Sequence, residues 1–490
     1  MPCTTILVGK KASADGSTMI ARNDDSPSGV FHVKKMMVVD PKDQPRHYVS
    51  TLSHVEIDLP DNPLSYTAMP NVDKKDGIWA AAGINSENIS MTATETITSN
   101  PRVLGADPYV KYVAAKDGEK EVKGGIGEEE LVVLVLPYIH SAKEGALRLG
   151  MLLEKYGTYE PNGIAFSDQD SIWWLESIGG HHWIARRVKD EDYVIMPNQF
   201  GLDRFDFADA YGSQKENLCS QDLEEFVEEN HLALDQKGPF NPRLAFGSHD
   251  DSDHVYNTPR AWFMGRYFNP RTIRWDGPNA EYTPESDDIP WSLVPEHKIT
   301  VEEVKYILSS HFQGTPYDPY GKVADPERGK YRPIGISRTA FMSIAQIRPN
   351  LPKEYAAIEW ICFGSNAFNA MVPFYSHTSV VPAYFGGTTM EISTDAFYWS
   401  SRLLGALADA HFGLCGILIE RYQDAVANEA SALIHRYDKE FAKSDDLPKA
   451  IAKANETIAA MAKKETEKAL DAILFAASCA MKNGYNRSDN

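Results

Sequence analysis

The chain has 490 residues, 43% hydrophobic and 24% charged, the balance of a soluble globular protein with room for a large core. A formal net charge of −20, offset by no long basic stripe, argues against nucleic-acid and anionic-membrane partners. Five scattered cysteines form no C-x-x-C pair, and no basic segment leads into a long apolar one at the amino terminus, so a reducing cytoplasm is the expected setting.

The first predicted element is a hairpin. Apolar runs at 4–9 and 18–25 flank a polar segment that carries the turn signal Asp15-Gly16. Cys3 stands at its open end, and removal of two residues would leave it a free α-amine beside its own thiol. A thiol of pKa ~8.5 and an α-amine of ~8 are nearly matched near neutrality, so the amine can act as general base. Pairing about the middle of the turn sets Cys3 beside the 22–25 end of the second strand. There a guanidinium would favour thiolate and a carboxylate would hold the amine. A small buried hydrophobe in an edge strand is the alternative for Cys3.

Residues 31–100 read as β-structure, with strands over 33–39, 48–59, 78–84 and 89–95. The glycine-rich loop at 99–127 has the composition of a cover for a site. A helix is expected from about Glu128 to Pro137, and a second from Ser141, where Ser141 and Glu144 suggest a capping box, to Gly157. Strands at 163–166, 171–178, 182–188 and 193–198 follow. Strands grouped on either side of a helical layer suggest a sheet-on-sheet core with helices outside rather than repeating βαβ units.

Residues 222–232 read as a helix, and the acidic, Pro- and Asn-rich stretch at 235–300 as long surface loops. Thr300 and Glu303 cap a helix over 301–311, and strands return at 340–347 and 356–363. Beyond about residue 390 the pattern is helical. Leu403, Leu407, Ala410, Leu414 and Leu418 fall on one stripe, and Ile451, Ile458 and Met461 on another that starts at Asp446. The apolar run at 403–419 is interrupted by Asp409 and His411 and reads as a core helix, not a membrane span.

Common catalytic and metal-binding motifs are absent from the sequence. His181-His182 are adjacent, so on a strand their rings face opposite ways and packing is the simpler reading. The stretch His249, Asp250, Asp251, Asp253 and His254 reads as a solvated acidic loop rather than a cation site. Three other residues combine polar function with an apolar setting. Asn198 ends an apolar strand and is either an oxyanion donor or a turn cap. Arg260, among aromatics, either holds a carboxylate or tunes the nucleophile, or else makes a structural cation–π contact. Glu95 closes a strand and either meets a substrate ammonium or makes a surface ion pair.

Together these stretches resemble the cysteine-nucleophile dipeptidases of the lactic-bacterial dipeptidase A type, with secernins as more distant relatives. The resemblance rests on Cys3-Thr4-Thr5-Ile6-Leu7-Val8-Gly9, Asp15-Gly16-Ser17, Ala21-Arg22-Asn23, Gly83-Ile84-Asn85, the strand around Glu95, Trp174-Leu175-Glu176, Pro197-Asn198-Gln199-Phe200 and Tyr256-Asn257-Thr258-Pro259-Arg260. It implies an α+β fold of the Ntn-hydrolase type, an αββα sandwich of two antiparallel sheets, shared with penicillin V acylase and the bile-salt hydrolases. By the same resemblance Cys3 is the nucleophile and Arg22 the arginine close to the thiol. Asp25 contacts the nucleophile's amine, with Asp24 as the adjacent competitor for that role. Asn198 shapes the oxyanion site, Arg260 is the downstream arginine, and Glu95 suits a substrate with a free ammonium.

The expected organisation is a catalytic domain at 3–390, a propeptide of Met1-Pro2, and a mainly helical region at 391–490 packed on the core or at subunit contacts. The expected activity is hydrolysis of dipeptides through a thioester, with no cofactor and no metal, in a homo-oligomer. Two alternatives remain open: an amidohydrolase of the penicillin V or bile-salt acylase kind, and a non-peptidase protein of the secernin kind.

Overall fold

The residues of the opening hairpin are buried on both faces, and that fact organises the rest of the chain. The strands β1 (Cys3–Val8) and β2 (Thr18–Asp25) carry apolar and polar side chains on each face, and all fourteen residues are buried. A strand buried on both sides needs a layer above and a layer below. The structure is a computed structural model that describes residues 3–233, 238–321 and 325–481, with the side chains of Thr94 and Glu95 outside the description.

The layer beyond one face is a second sheet. Its strands are β3 (Ala82–Ile84), β4 (Ser90–Thr96), β5 (Asn162–Ser167), β6 (Ile172–Ile178), β7 (His182–Val188) and β9 (Asn217–Cys219); β8 (Tyr193–Met196) belongs to the first sheet. The first sheet is completed by β10 (Ser292–Leu293), β11 (Thr339–Ile347), β12 (Ala357–Phe363) and β13 (Val372–Tyr375). The orders are β10-β8-β1-β2-β11-β12-β13 and β9-β7-β6-β5-β4-β3, and neighbouring strands run antiparallel throughout. Leu7 and Ile20 of the first sheet share an apolar cluster with Ala165, Trp174 and Ile184 of the second. Cys3, Thr5, Arg22 and Asp24 lie on that same face by the two-residue alternation of a strand.

Helices cover the other faces. Phe166 and Leu175 of the second sheet pack with α1 (Leu131–Val135) and α2 (Ala142–Tyr156). Ser141 Oγ accepts the Glu144 N–H at 3.1 Å, and Gly157 ends α2 at φ 66°, in the left-handed region that favours glycine. Ile6 and Ala21 of the first sheet pack with α3 (Thr258–Phe268), α4 (Val301–Leu308), α5 (Phe397–Asp409), α6 (Phe412–Phe441) and α7 (Leu447–Cys479). Thr300 and Glu303 form a complete capping box at the start of α4.

Three sequence expectations differ from the structure. The stretch at 235–300 contains α3, because Pro259 occupies the first helical turn, where its missing N–H costs nothing. Glu128, Glu129 and Glu130 precede α1 as a buried turn instead of forming the exposed first turn of a helix. In the carboxy-terminal region the chain breaks between α5 and α6. The buried stripe there holds Leu404, Ala408, Cys415 and Ile419, while Leu403 and Leu414 are exposed. Small and apolar residues occur on several faces of that run, so periodicity alone selects the wrong one.

Candidate active site

Cys3 is fully buried and pairs across the hairpin with Asp24, while Thr5 pairs with Arg22. The side chains meet on the inter-sheet face. Arg22 Nη2 lies 3.0 Å from Cys3 Sγ, 3.2 Å from Asp24 Oδ1 and 2.9 Å from Glu128 Oε1, and Nη1 donates to the Ala81 carbonyl at 3.2 Å. A guanidinium in contact with sulfur stabilises thiolate over thiol. Burial pushes the Asp24 carboxyl up, but Lys34 and Arg22 prevail and hold it below its ordinary value. Lys34 is itself fully buried, with Nζ 3.0 Å from Asp24 Oδ2 and 3.0 Å from the Trp79 carbonyl.

The amino end of Cys3 is held from the neighbouring strand. Pro197 follows β8 and has no N–H to continue the ladder, so the chain leaves the sheet just where Asn198 comes level with Cys3. Asn198 Oδ1 accepts the Cys3 N–H at 3.1 Å and Arg260 Nη2 at 2.8 Å, and its Nδ2 donates to the Thr96 carbonyl at 3.0 Å. Arg260, near the start of α3, also donates to the Cys3 carbonyl, to Thr4 Oγ1 at 2.6 Å and to Asn257 Oδ1 at 2.7 Å. Its guanidinium stands 5.2 Å from the centre of the Tyr256 ring, so the polar contacts and the cation–π contact coexist.

Asp25 lies elsewhere. Strand alternation turns it to the helical face of β2, where its carboxylate meets Arg332 and accepts Thr339 Oγ1 at 2.6 Å. Arg332 Nη1 reaches Thr4 Oγ1 at 3.4 Å, so Asp25 connects to the strand of Cys3 from behind. The carboxylate on the thiol's own side is Asp24. Glu95 is part of β4, paired through its backbone with Gly163, but its side chain lies outside the described residues, as do Met1 and Pro2.

Sequence reasoning missed Glu128, Lys34 and Arg332. Three consecutive glutamates before an apolar helix look like a solvated first turn, and nothing local marks one of them as buried beside an arginine. The donor atoms of Cys3, Asp24 and Glu128 lie within 4.8 Å of one another, a spacing that can suit a cation. Arg22 Nη2 already contacts all three, so the positive charge at their centre is the guanidinium and a metal ion would have to displace it.

The histidine stretches take structural roles. His181 and His182 both turn to Asp107, with Nδ1 distances of 2.9 and 2.7 Å, because His181 sits in the turn before β7 rather than on the strand. Burial raises Asp107, but hydrogen bonds from His182 and His181 prevail and hold it at about 2. The acidic stretch near His249 does not converge: Asp253 accepts Ser248 Oγ, and His254 pairs with Asp287 at 3.0 Å.

Residues 2–425 match peptidase family C69. The chain is 50% identical to a dipeptidase of Bifidobacterium longum, covering 100% of both chains. It is 50% identical to a probable dipeptidase A of Streptococcus pyogenes serotype M18, covering 99% of this chain and 98% of the relative. It is 45% identical to dipeptidase A of Lactobacillus helveticus, covering 89% and 88%. A crystal structure of a mutant conjugated bile acid hydrolase from Clostridium perfringens aligns with 76% of this chain and 92% of that one. At 12% identity and a TM-score of 0.30 that likeness carries no argument. No described helix is long and apolar enough to cross a membrane.

Proposed function

The chain belongs to peptidase family C69, and on that footing we propose that it is a dipeptidase whose nucleophile is the Cys3 thiol, freed by removal of Met1-Pro2. The observation that carries the reading is the double hold on one residue: Arg22 Nη2 3.0 Å from Sγ and Asn198 Oδ1 3.1 Å from the backbone nitrogen. The fold we propose for it is the αββα sandwich of the Ntn hydrolases, a reading supported by helices packed outside both antiparallel sheets.

The mechanism follows from what each group can hold. Once processed, the Cys3 amine stays beside Asn198 Oδ1 and takes the thiol proton directly or through a water. The thiolate, balanced by Arg22, attacks the carbonyl carbon of the dipeptide's first residue and a C–S bond forms. Asn198, whose Nδ2 donates to the Thr96 carbonyl, shapes the oxyanion site together with a backbone N–H. As the C–N bond breaks, the Cys3 ammonium passes its proton to the leaving amino acid. Water then hydrolyses the thioester and restores the thiol. Arg260 fixes the Cys3 carbonyl and Asn198 together, so the nucleophile and the oxyanion site move as one unit. Asp25 supports the same strand end through Arg332.

The test is intact-mass analysis of active enzyme combined with a dipeptide turnover assay, run against a panel of N-acyl amides. The expected result is a mature chain that begins at Cys3 and cleaves dipeptides with a free amino end. Active enzyme that retains Met1 or Pro2 would overturn the scheme, as would turnover of acyl amides without turnover of dipeptides.

A further inference from the structure

We infer that Glu176 and Arg243 are positioning residues for Asn198: they grip Gly201 by both its backbone groups and so set where the Asn198 side chain meets Cys3. The assignment rests on the dipeptidase reading above. Asn198 lies on the segment Pro197-Asn198-Gln199-Phe200-Gly201, which has left β8 and has no strand ladder to fix it. At the near end the Asn198 N–H donates to Asn257 Oδ1 at 3.1 Å. At the far end the Gly201 N–H donates to Glu176 Oε1 at 2.6 Å, and the Gly201 carbonyl accepts Arg243 Nη2 at 2.7 Å. The same two residues hold Leu202. Its N–H donates to Glu176 Oε1 at 3.3 Å, and its carbonyl accepts the Arg243 N–H at 2.9 Å.

Both grips are fixed independently of the segment they hold. Trp174 of β6 lies in the apolar cluster between the sheets, and strand alternation turns Glu176 to the same face. Gly163 pairs with Glu176 across β5 and β6, and a Cβ there would come within 2.2 Å of the Trp174 ring. The indole fills that space, and its Nε1 donates to Glu176 Oε1 at 3.0 Å. Arg243 is buried on the short helix Pro242–Phe246, and its Nη1 donates to the carbonyls of Asp287 and Ile289 at 3.0 and 2.8 Å. The second sheet thus reaches across the interior to hold a segment that extends from the first.

A buried carboxyl and guanidinium are costly, and apolar side chains would fill the same space more cheaply. What the polar pair adds is a fixed place for one stretch of backbone. Burial raises the Glu176 carboxyl to about 7, against hydrogen bonds from Trp174, Gly201 and Leu202 that lower it. Near neutrality an amide is therefore a close substitute for its protonated form. Asn198 in turn accepts the Cys3 N–H at 3.1 Å, so a shift of Gly201 is carried to the nucleophile's own nitrogen. Catalytic groups must be held within about 0.5 Å of productive geometry by the groups behind them. Loss of the grip should act on the chemical step rather than on substrate binding.

The experiment measures kcat and KM for alanyl-alanine on mature wild type, Glu176→Ala and Glu176→Gln. Circular dichroism sets a temperature at which each is folded, and intact mass checks maturation. A misplacement on the order of 1 Å costs about 10²-fold in rate, so Glu176→Ala should lower kcat by that factor with KM within about threefold of wild type. Glu176→Gln keeps an acceptor oxygen for the Gly201 N–H and should recover kcat to within about threefold of wild type. A Glu176→Ala enzyme that melts earlier but keeps the wild-type kcat per folded molecule would leave Glu176 a purely structural role and overturn the assignment. So would a loss of kcat that Glu176→Gln does not recover, or an effect on KM alone. Should Glu176→Ala fail to fold or mature, Glu176→Asp draws the acceptor back by one methylene. It should lower kcat about tenfold with KM unchanged, and an unchanged kcat overturns the assignment. Wild type that cleaves no member of a panel of dipeptides with free amino ends would instead refute the dipeptidase reading itself.

Discussion

The opening β-hairpin and the closing α-hairpin are both two antiparallel elements joined by a short turn, yet their residues answer to different rules. In β1 and β2 every position is buried, and the polar ones sit among charges that neutralise one another: Arg22 with Asp24 and Glu128, Asp24 with Lys34, Asp25 with Arg332. In α6 and α7 one stripe is buried, including Cys415, Ile419, Val426, Ile451 and Ile458, and the rest faces outward. A segment between two layers has no solvent side on which to place a charge cheaply. Each charge kept there is paired or hydrogen-bonded, and its removal strands a partner. A helical hairpin on the outside stores its stability in apolar contacts that are largely independent of one another.

Variants at the two hairpins test that contrast. Cys3→Ala should abolish dipeptide turnover, by at least about 10⁴-fold, because the nucleophile has no substitute. The thermal midpoint should stay near wild type, and peptidase activity left intact in a purified variant would refute the assignment. Arg22→Met should cost activity and stability together: about 3–5 kcal/mol in urea unfolding, since Asp24 and Glu128 lose a shared buried partner. A variant as stable as wild type would show that the pairing does not matter to the fold. On the other hairpin, Ile458→Ala should destabilise by about 2–5 kcal/mol through the cavity it leaves, with kcat/KM per folded molecule unchanged.

Glu359 sharpens the comparison from within the first sheet. It is as buried as Asp24, but among the described residues its partners are hydroxyls, Thr67 Oγ1 and Ser343 Oγ, and burial raises it to about 7. Between its ordinary value of 4.5 and that value the unfolded chain is ionised while the folded chain keeps its proton. Stability therefore falls as pH rises through this window and levels off above it, by roughly 3 kcal/mol in all. Glu359→Gln should flatten the dependence of the thermal midpoint on pH from about 5 to 8, and an unaltered profile would place the titration elsewhere. The smallest effect belongs to Leu414→Gln on the exposed face of α6, expected within about 0.5 kcal/mol of wild type.

Legibility followed the range of the interactions. Cys3 and Arg22 could be read together because a turn signal between two apolar runs specifies a hairpin, and a hairpin brings its open ends together. Asn198 was legible as a polar residue ending an apolar strand. Arg260 was singled out, but its helix was missed because Thr258-Pro259 reads as a turn when the burial of the following residues is unknown. Glu128 had no local signal, since an exposed first turn of a helix and a buried turn beside an arginine have the same composition. In α5 and α6 helical periodicity was legible, whereas the buried face was not, because Leu403 and Leu404 are interchangeable until the packing partner is known.

By itself the sequence determined the hairpin and the place of Cys3 and Arg22 at its open end. These are local facts, set by turn propensity and strand alternation. Only the tertiary structure decided which acid faces that thiol. The register of β1 on β2 and the stacking of the second sheet put Asp24 on the inner face and Asp25 on the outer one. The same stacking buried Glu128 against Arg22, and α3 brought Arg260 onto the Cys3 carbonyl across 257 positions of chain. Contacts of that separation depend on how layers close over one another, and no short stretch of sequence encodes it.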